Sequence, residues 1–346
     1  MVLVYSSNLS ARVLLPWSIC AIIQKLRMCS IEPQKYCFYL SFFERHFTSL
    51  RMISPIFVAM LNSILANYIK RRLNSDITDV KPVSGGSINR TYLIETLDHK
   101  YFIKLNNKTR YPEMFEAEAR GLNLIAQTNT IKTPEIILQD SVGDESFFLL
   151  EWIKTRRPTA KASAKLGEQL AAMHRNFADK FGLDTDNYMG SLHQSNKKHN
   201  TWAEFFSEQR LQPMVKMAID KGLLTTNDLV AFEHLYKKLP GLFDEELPTL
   251  IHGDLWGGNY IIDLDEQPYL IDPAVSYGNR EFDLAMTTLF GGFSNEFYVA
   301  YNEAYPLIKG WQQRMDLWNL YPLLVHLNLF GAGYAGQVRD CLLQYV

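Results

Sequence analysis

The segment that most constrains this chain is His252-Gly253-Asp254-Leu255-Trp256-Gly257-Gly258-Asn259. The apolar pair Leu250-Ile251 leads into it, and Asn259 stands five positions after Asp254. Tyr260-Ile261-Ile262 and Tyr269-Leu270-Ile271 then read as the two strands of a hairpin that turns over 263–268. Asp272 follows at the hairpin's end, thirteen positions after Asn259. Asp and Asn are common turn formers, so any one of them alone would mark only a loop. The fixed spacing with a hairpin between the last two makes the set specific.

Phosphoryl transfer asks for such a set. A carboxylate must accept the proton of the attacking hydroxyl, and oxygen ligands must hold Mg²⁺ against the nucleotide phosphates. Asp254 is the candidate catalytic base, and Asn259 and Asp272 are the candidate metal ligands. A second candidate is Lys104, in the strand Tyr101-Phe102-Ile103-Lys104-Leu105. A lone Lys on a strand is ordinarily a solvated side chain. Here it lies between a glycine turn and a helix bearing Glu116 and Glu118, the order in which kinases place a phosphate-reaching Lys and its ion-pair Glu. Glu118 is the preferred partner.

Two weaker signals flank these. Ser84-Gly85-Gly86-Ser87-Ile88-Asn89 is neither a Walker A loop nor a G-x-G-x-x-G motif. Gly85 and Gly86 would let backbone N–H groups approach phosphates, and a plain hairpin turn accounts for them equally well. Phe148-Leu149-Leu150-Glu151-Trp152-Ile153 reads as the strand that leaves the first lobe. Glu151, Trp152 and Ile153 are the expected backbone contacts for adenine, the alternative being an ordinary strand end.

Along the chain, apolar spacing predicts a helix over 60–73. Strand, glycine turn, strand, turn and strand follow over 76–105, then a helix over 112–127 and strands over 136–138 and 147–153. After Trp152 the pattern turns mainly helical, with helices over 162–177, 202–219, 227–239, 281–290, 295–305 and 311–330. The expected architecture is α+β: a small β-rich lobe over 60–153 with one pairing helix, and a larger, mainly helical lobe over 154–346.

Residues 1–59 read differently. The first thirty carry Arg12, Lys25 and Arg27 and no acidic residue, and the apolar run over 13–23 contains Pro16. That run is too short to span a bilayer. Its flanks are wrong for a secretory signal, and the basic, acid-poor stretch is only weakly like a transit peptide. The expectation is an extension outside the catalytic fold, with the natural start near Met60.

Composition narrows the function classes. The net charge is −2, which gives nucleic-acid binding no support, since phosphate-backbone binders carry a basic excess. The four cysteines, Cys20, Cys29, Cys37 and Cys341, have no metal-ligand spacing and form no disulfide framework, so a reducing cytoplasm is expected.

With these residues on the page, the sequence from about Met60 to about Gly336 resembles the fructosamine kinase (ketosamine 3-kinase) family. That family is grouped with the aminoglycoside and choline phosphotransferases, which share the protein-kinase-like fold. The resemblance is carried by Pro82 to Asn89, Tyr101 to Asn106, Met114-Phe115-Glu116-Ala117-Glu118 and Asp186-Asn187-Tyr188-Met189-Gly190. It continues through Trp202 to Phe206, Gln209-Arg210-Leu211, His252 to Asn259 and Ile271-Asp272-Pro273-Ala274. Tyr277-Gly278, Glu281 to Ala285 and Leu289-Phe290-Gly291-Gly292-Phe293 complete it. Trp256 after the Asp-Leu pair, together with the Phe-Gly-Gly-Phe segment, distinguishes this family from its relatives.

The resemblance implies transfer of the γ-phosphate of ATP, with Mg²⁺, to the 3-hydroxyl of sugar adducts on amines. Fructosamines and ribulosamines are such adducts, free or protein-bound, and the phosphorylated adduct then falls off. It implies that Trp256 packs on the sugar, with a core tryptophan as the competing reading, and that Asp283 braces the catalytic loop. The chain departs from the family at residues 1–59. It also has Ser87 where some members carry a Cys for redox-linked dimers, so no such switch is expected and the chain should be a monomer or weak dimer. The competing readings are a kinase for another small hydroxyl compound, such as an aminoglycoside, and a nucleotide-binding pseudokinase. Intact Lys104, Asp254, Asn259 and Asp272 speak against the last.

Overall fold

The structure, a computed structural model, describes residues 61–83 and 88–346. The extension 1–59, Met60, Gly85, Gly86 and Ser87 lie outside the described residues.

The first lobe is built on a five-stranded antiparallel sheet in the order β1 (Ile77–Pro82), β2 (Arg90–Thr96), β3 (Lys100–Asn107), β5 (Glu145–Glu151) and β4 (Ile136–Val142). Side chains alternate across a strand, and this alternation sorts the two faces. Ile103, Leu105, Phe147 and Leu149 pack on one face under helix α1 (Ser63–Leu73) through its Leu65 and Ile69. Phe102, Phe148 and Leu150 pack on the other under helix α2 (Met114–Gln127) through Phe115, Ala119 and Leu122. Lys104 stands opposite Phe148 in the β3–β5 ladder, so it is on the α2 face.

The second lobe is mainly helical. Helix α3 (Ala160–Met173) packs closely on α8 (Asn295–Ala304). A Cβ at Gly167 would fall 2.3 Å from the Phe297 carbonyl oxygen. α3 ends earlier than periodicity predicts, because the Asn176 amide donates back to the carbonyls of Ala172 and Met173. The helix expected over 202–219 is three segments: α4 (Trp202–Phe205), a π turn over Phe206–Leu211, and α5 (Gln212–Asp220). Pro213 lacks the N–H that a regular helix requires, and the ladder instead closes by Gln212 N–H donating to the Ser207 carbonyl. Helices α6 (Thr226–Lys238), α7 (Glu281–Leu289) and α9 (Trp311–Phe330) match expectation within two residues. α10 (Ala335–Leu342) was not anticipated. No helix among the described residues is long and apolar enough to cross a membrane.

Short strands interrupt the helices. β6 (Thr155–Arg156) joins the hairpin of β10 (Tyr260–Asp263) and β11 (Pro268–Leu270). β7 (Asn187–Met189) and β8 (Leu192–Gln194) form a separate hairpin. β9 (Thr249–Ile251) pairs with β12 (Ser276–Gly278), setting Ile251 opposite Ser276. That pairing gathers the whole stretch from His252 to Val275 into one closed loop at the lobe boundary.

Candidate active site

The β9–β12 pairing delivers His252-Gly253-Asp254, and Asp283 in the first turn of α7 fixes them. Its Oδ2 accepts the His252 N–H (2.6 Å) and its Oδ1 accepts the Gly253 N–H (2.8 Å). His174, fully buried, bridges Asp283 Oδ2 (3.1 Å) and the Tyr301 hydroxyl (2.8 Å). Gly253 has φ +80°, and a Cβ there would sit 2.1 Å from the Ala274 carbonyl oxygen. Only glycine fits this crossing of two backbones. The His252 ring takes one tautomer: Nε2–H donates to the Ile271 carbonyl (2.9 Å), and Nδ1 accepts the Asp254 N–H (3.2 Å). Burial pushes the His252 pKa down, which keeps that neutral form.

The β10–β11 hairpin sets Asn259 beside Asp272, with Ile271 N–H donating to the Asn259 carbonyl (3.0 Å). Asn259 Nδ2 donates to the Asp254 carbonyl (2.8 Å) and to Asp254 Oδ2 (3.0 Å). The amide nitrogen is thereby committed, and Oδ1 remains as the acceptor. Asp272 has φ +54°, a conformation that is uncommon outside glycine. Lys104, 3% exposed, reaches it across the lobe boundary: its Nζ lies 2.6 Å from Asp272 Oδ1 and 2.7 Å from Glu118 Oε1. Glu116 is exposed on the opposite side of α2. Of the two acidic residues on this helix, Glu118 is the one brought to Lys104.

The electrostatics follow from burial and charge balance. Burial disfavours the Lys104 charge, but two carboxylates at hydrogen-bond distance outweigh it and raise the pKa. Burial, with the Asp272 charge adding to it, pushes the Glu118 carboxyl up, against the Lys104 ammonium beside it. Burial, then the Asp272 charge, hold the Asp254 carboxyl well above the usual carboxylate range, against the Asn259 hydrogen bond.

These side chains line one cavity of about 150 Å³. Lys104, Glu118, Asp254, Asn259 and Asp272 share it with Trp256. The Trp256 ring lies flat against the Gly258 backbone, where any Cβ would overlap it, and meets Phe290 edge-on at 6.3 Å. Sequence reasoning gave no role to several other walls: Asn187 to Gly190 of the β7–β8 hairpin, and Val325, His326 and Leu329 of α9. The segment 186–190 carried the family resemblance, but nothing in its residue types announces a wall.

Glu151, Trp152 and Ile153 do not line this cavity. The Glu151 and Trp152 N–H groups are held within the first lobe, by the carbonyls of Glu135 (3.0 Å) and Lys100 (3.2 Å). The Glu151 carboxylate caps the Glu135 N–H (2.9 Å). The N–H groups of Glu151 and Trp152 are therefore engaged within the first lobe.

A divalent cation fits the donor set. Asn259 and Asp272, both of which offer hard oxygen donors, line the same cavity. Among the described residues no group of three His, Cys, Asp or Glu stands together as a metal cage. A two-residue oxygen pair suits Mg²⁺, which keeps water and substrate phosphate oxygens in its shell.

The fructosamine kinase family model matches residues 60–346. The chain is 41% identical over 277 residues to a "Probable ketoamine kinase" of Lactiplantibacillus plantarum, covering 78% of this chain and 95% of that one. It is 35% identical to a mouse "Ketosamine-3-kinase" over 297 residues, with 78% and 95% covered. A crystal structure of a Thermobifida fusca protein named as a fructosamine-3-kinase superposes with TM-score 0.74 at 36% identity, covering 81% of this chain and 98% of that one. The aminoglycoside phosphotransferase APH(4)-Ia superposes with TM-score 0.56 at 13% identity, covering 82% and 99%, which is a likeness of fold. The architecture is the two-lobed protein-kinase-like fold.

Proposed function

The chain belongs to the fructosamine kinase family, and from that premise we propose that it phosphorylates ketosamines at the sugar 3-hydroxyl using ATP. The observation that carries the reading is the convergence of Lys104, Glu118, Asp254, Asn259 and Asp272 on one cavity. Glu118 holds the Lys104 ammonium in place for the nucleotide phosphates. Ile153 N–H meets the adenine edge. Asn259 Oδ1 and Asp272 would hold Mg²⁺, which would supply positive charge against the charge that develops in phosphoryl transfer.

Asp254 acts on the acceptor. Its carboxylate takes the proton of the attacking hydroxyl as that oxygen bonds to the γ-phosphorus, and the bond from phosphorus to the bridging oxygen breaks to release ADP. A carboxyl held above its usual range is a stronger base than a solvated one. Asn259 Nδ2 and the braced His252-Gly253 backbone fix its direction. Trp256 offers a flat apolar face to the sugar. Loss of the phosphorylated adduct from its amine then makes the reaction a deglycation. The setting that suits this chemistry is cytoplasmic, with the chain acting as a monomer or weak dimer.

The test is ATP consumption with fructosyl-lysine, ribulosyl-lysine and an aminoglycoside in parallel. Turnover with one or both ketosamines is expected. Turnover with the aminoglycoside alone would overturn the assignment.

A further inference from the structure

A chain of buried hydrogen bonds runs from α9 to the loop that bears Asp272. The Tyr321 hydroxyl donates to Gln194 Oε1 (2.6 Å), Gln194 Nε2 donates to Asn187 Oδ1 (2.7 Å), and Asn187 Nδ2 donates to the Val275 carbonyl (2.8 Å). All three side chains are at least 95% buried. The relay has a fixed polarity. Only a hydroxyl can start it, and only an amide can accept with oxygen while donating with nitrogen at the two middle links. Arg210, in the π turn, ties the same hairpin down alongside it. Its guanidinium donates to the Ser195 carbonyl (2.6 Å), Asn196 Oδ1 (2.7 Å) and Ser276 Oγ (3.4 Å).

The far end of the relay is what matters. Val275 lies three residues after Asp272, whose left-handed backbone must be held by its surroundings. Ala274 N–H is already bound to the His252 carbonyl (2.9 Å), and Ser276 pairs with Ile251. Asn187 closes the remaining carbonyl between them. The next residue on β7, Tyr188, points the other way and donates its hydroxyl to the Pro112 carbonyl (2.8 Å), just before the helix that carries Glu118. One short strand therefore bonds to both segments that flank the Lys104 ion pairs.

We propose that Asn187 is a positioning residue for Asp272, acting through the Val275 carbonyl and aligned by Gln194 and Tyr321. The inference rests on the phosphotransferase reading of the same cavity. Without Asn187 the Asp272 loop loses its anchor, and the carboxylate no longer meets the cation at a fixed place. Outer partners of metal ligands typically change metal affinity by about 10- to 100-fold when removed.

The experiment measures ADP affinity calorimetrically, with and without Mg²⁺, for the full chain and for Asn187→Leu, Gln194→Leu and Tyr321→Phe. Asn187→Leu is expected to weaken binding of Mg·ADP about tenfold while metal-free ADP binding stays within about twofold. Its kcat should fall while the acceptor KM is unchanged. Gln194→Leu and Tyr321→Phe should move in the same direction by smaller factors. Equal losses with and without metal, or no loss in either, would reduce the relay to core structure and overturn the proposal. Should Asn187→Leu fail to fold, Tyr321→Phe removes one distant hydroxyl and carries the same test. Its metal-loaded affinity remaining that of the parent would also overturn the proposal. A parent protein that binds no ADP even with Mg²⁺ would instead overturn the phosphotransferase reading.

Discussion

At Asp254, stability and catalysis pull in opposite directions. Burial and the Asp272 charge raise its pKa, so the folded protein holds that proton to higher pH than the unfolded chain does. The resulting penalty on folding is absent below the unfolded carboxylate value of about 3.9 and complete above the raised one. Asp254→Asn is isosteric, removes the charge, and leaves the Asn259 amide an oxygen to donate to. We predict that it lowers kcat by about 10²- to 10⁴-fold, keeps ATP affinity within roughly threefold, and raises the thermal midpoint by about 2 °C. Scanning calorimetry alongside turnover checks both halves. A variant with parental kcat would remove Asp254 from the chemistry. For the same reason the acidic limb of kcat/KM should lie above the ordinary carboxylate range, and a limb near pH 4 would contradict the burial argument. The five residues round Lys104 and Asp254 were legible in the sequence because each brings a chemistry that few residue types supply, at spacing fixed by one strand, one helix and one hairpin. Asn187 was not legible, since it acts by holding a backbone carbonyl and any sequence can present one.

The elements that mattered most are those in which the chain crosses itself. Asp283 holds the N–H groups of His252 and Gly253 with its two oxygens, and His174 buttresses one of them. Asp283→Asn keeps the shape but turns an N–H₂ toward one of those donors. We predict a kcat loss of tenfold or more and destabilisation of about 1–3 kcal/mol from the unsatisfied buried donor, measured by turnover and denaturant unfolding. Parental values in both would mean that the loop is held by the β9–β12 pairing alone. At this scale apolar patterning was a good guide to the bounds of α6, α7 and α9. It failed where a single residue redirects the backbone: Pro213 inside the expected helix over 202–219, and Asn176 capping α3. The short α10, with Gly336 inside it, and the two-residue β6 are held by tertiary contacts and leave too few periodic positions to read. At the lobe exit the strand expected over 147–153 is β5 (Glu145–Glu151), which begins and ends two residues earlier. Its ladder hydrogen bonds, which engage Glu151 and Trp152, are set by neighbours distant in sequence.

For the molecule as a whole, the alternation of β3 and β5 decides how the lobes communicate. It turns Lys104 toward α2 and across to Asp272, so one ammonium ties the first lobe to the second. The family match begins at residue 60. We predict that a chain of residues 60–346 stays in solution and keeps its turnover within about twofold; loss of either would give residues 1–59 a part in the working enzyme. The account stands most directly on where the phosphate goes. Fructosyl-lysine labelled with ¹³C in the sugar should be incubated with the protein, ATP and Mg²⁺ and followed by ³¹P and ¹³C magnetic resonance. The account predicts a new phosphate ester coupled to C3 of the sugar, absent with Asp254→Asn, followed by release of free lysine. A phosphate on another hydroxyl, or ATP hydrolysis with no sugar ester, would contradict it.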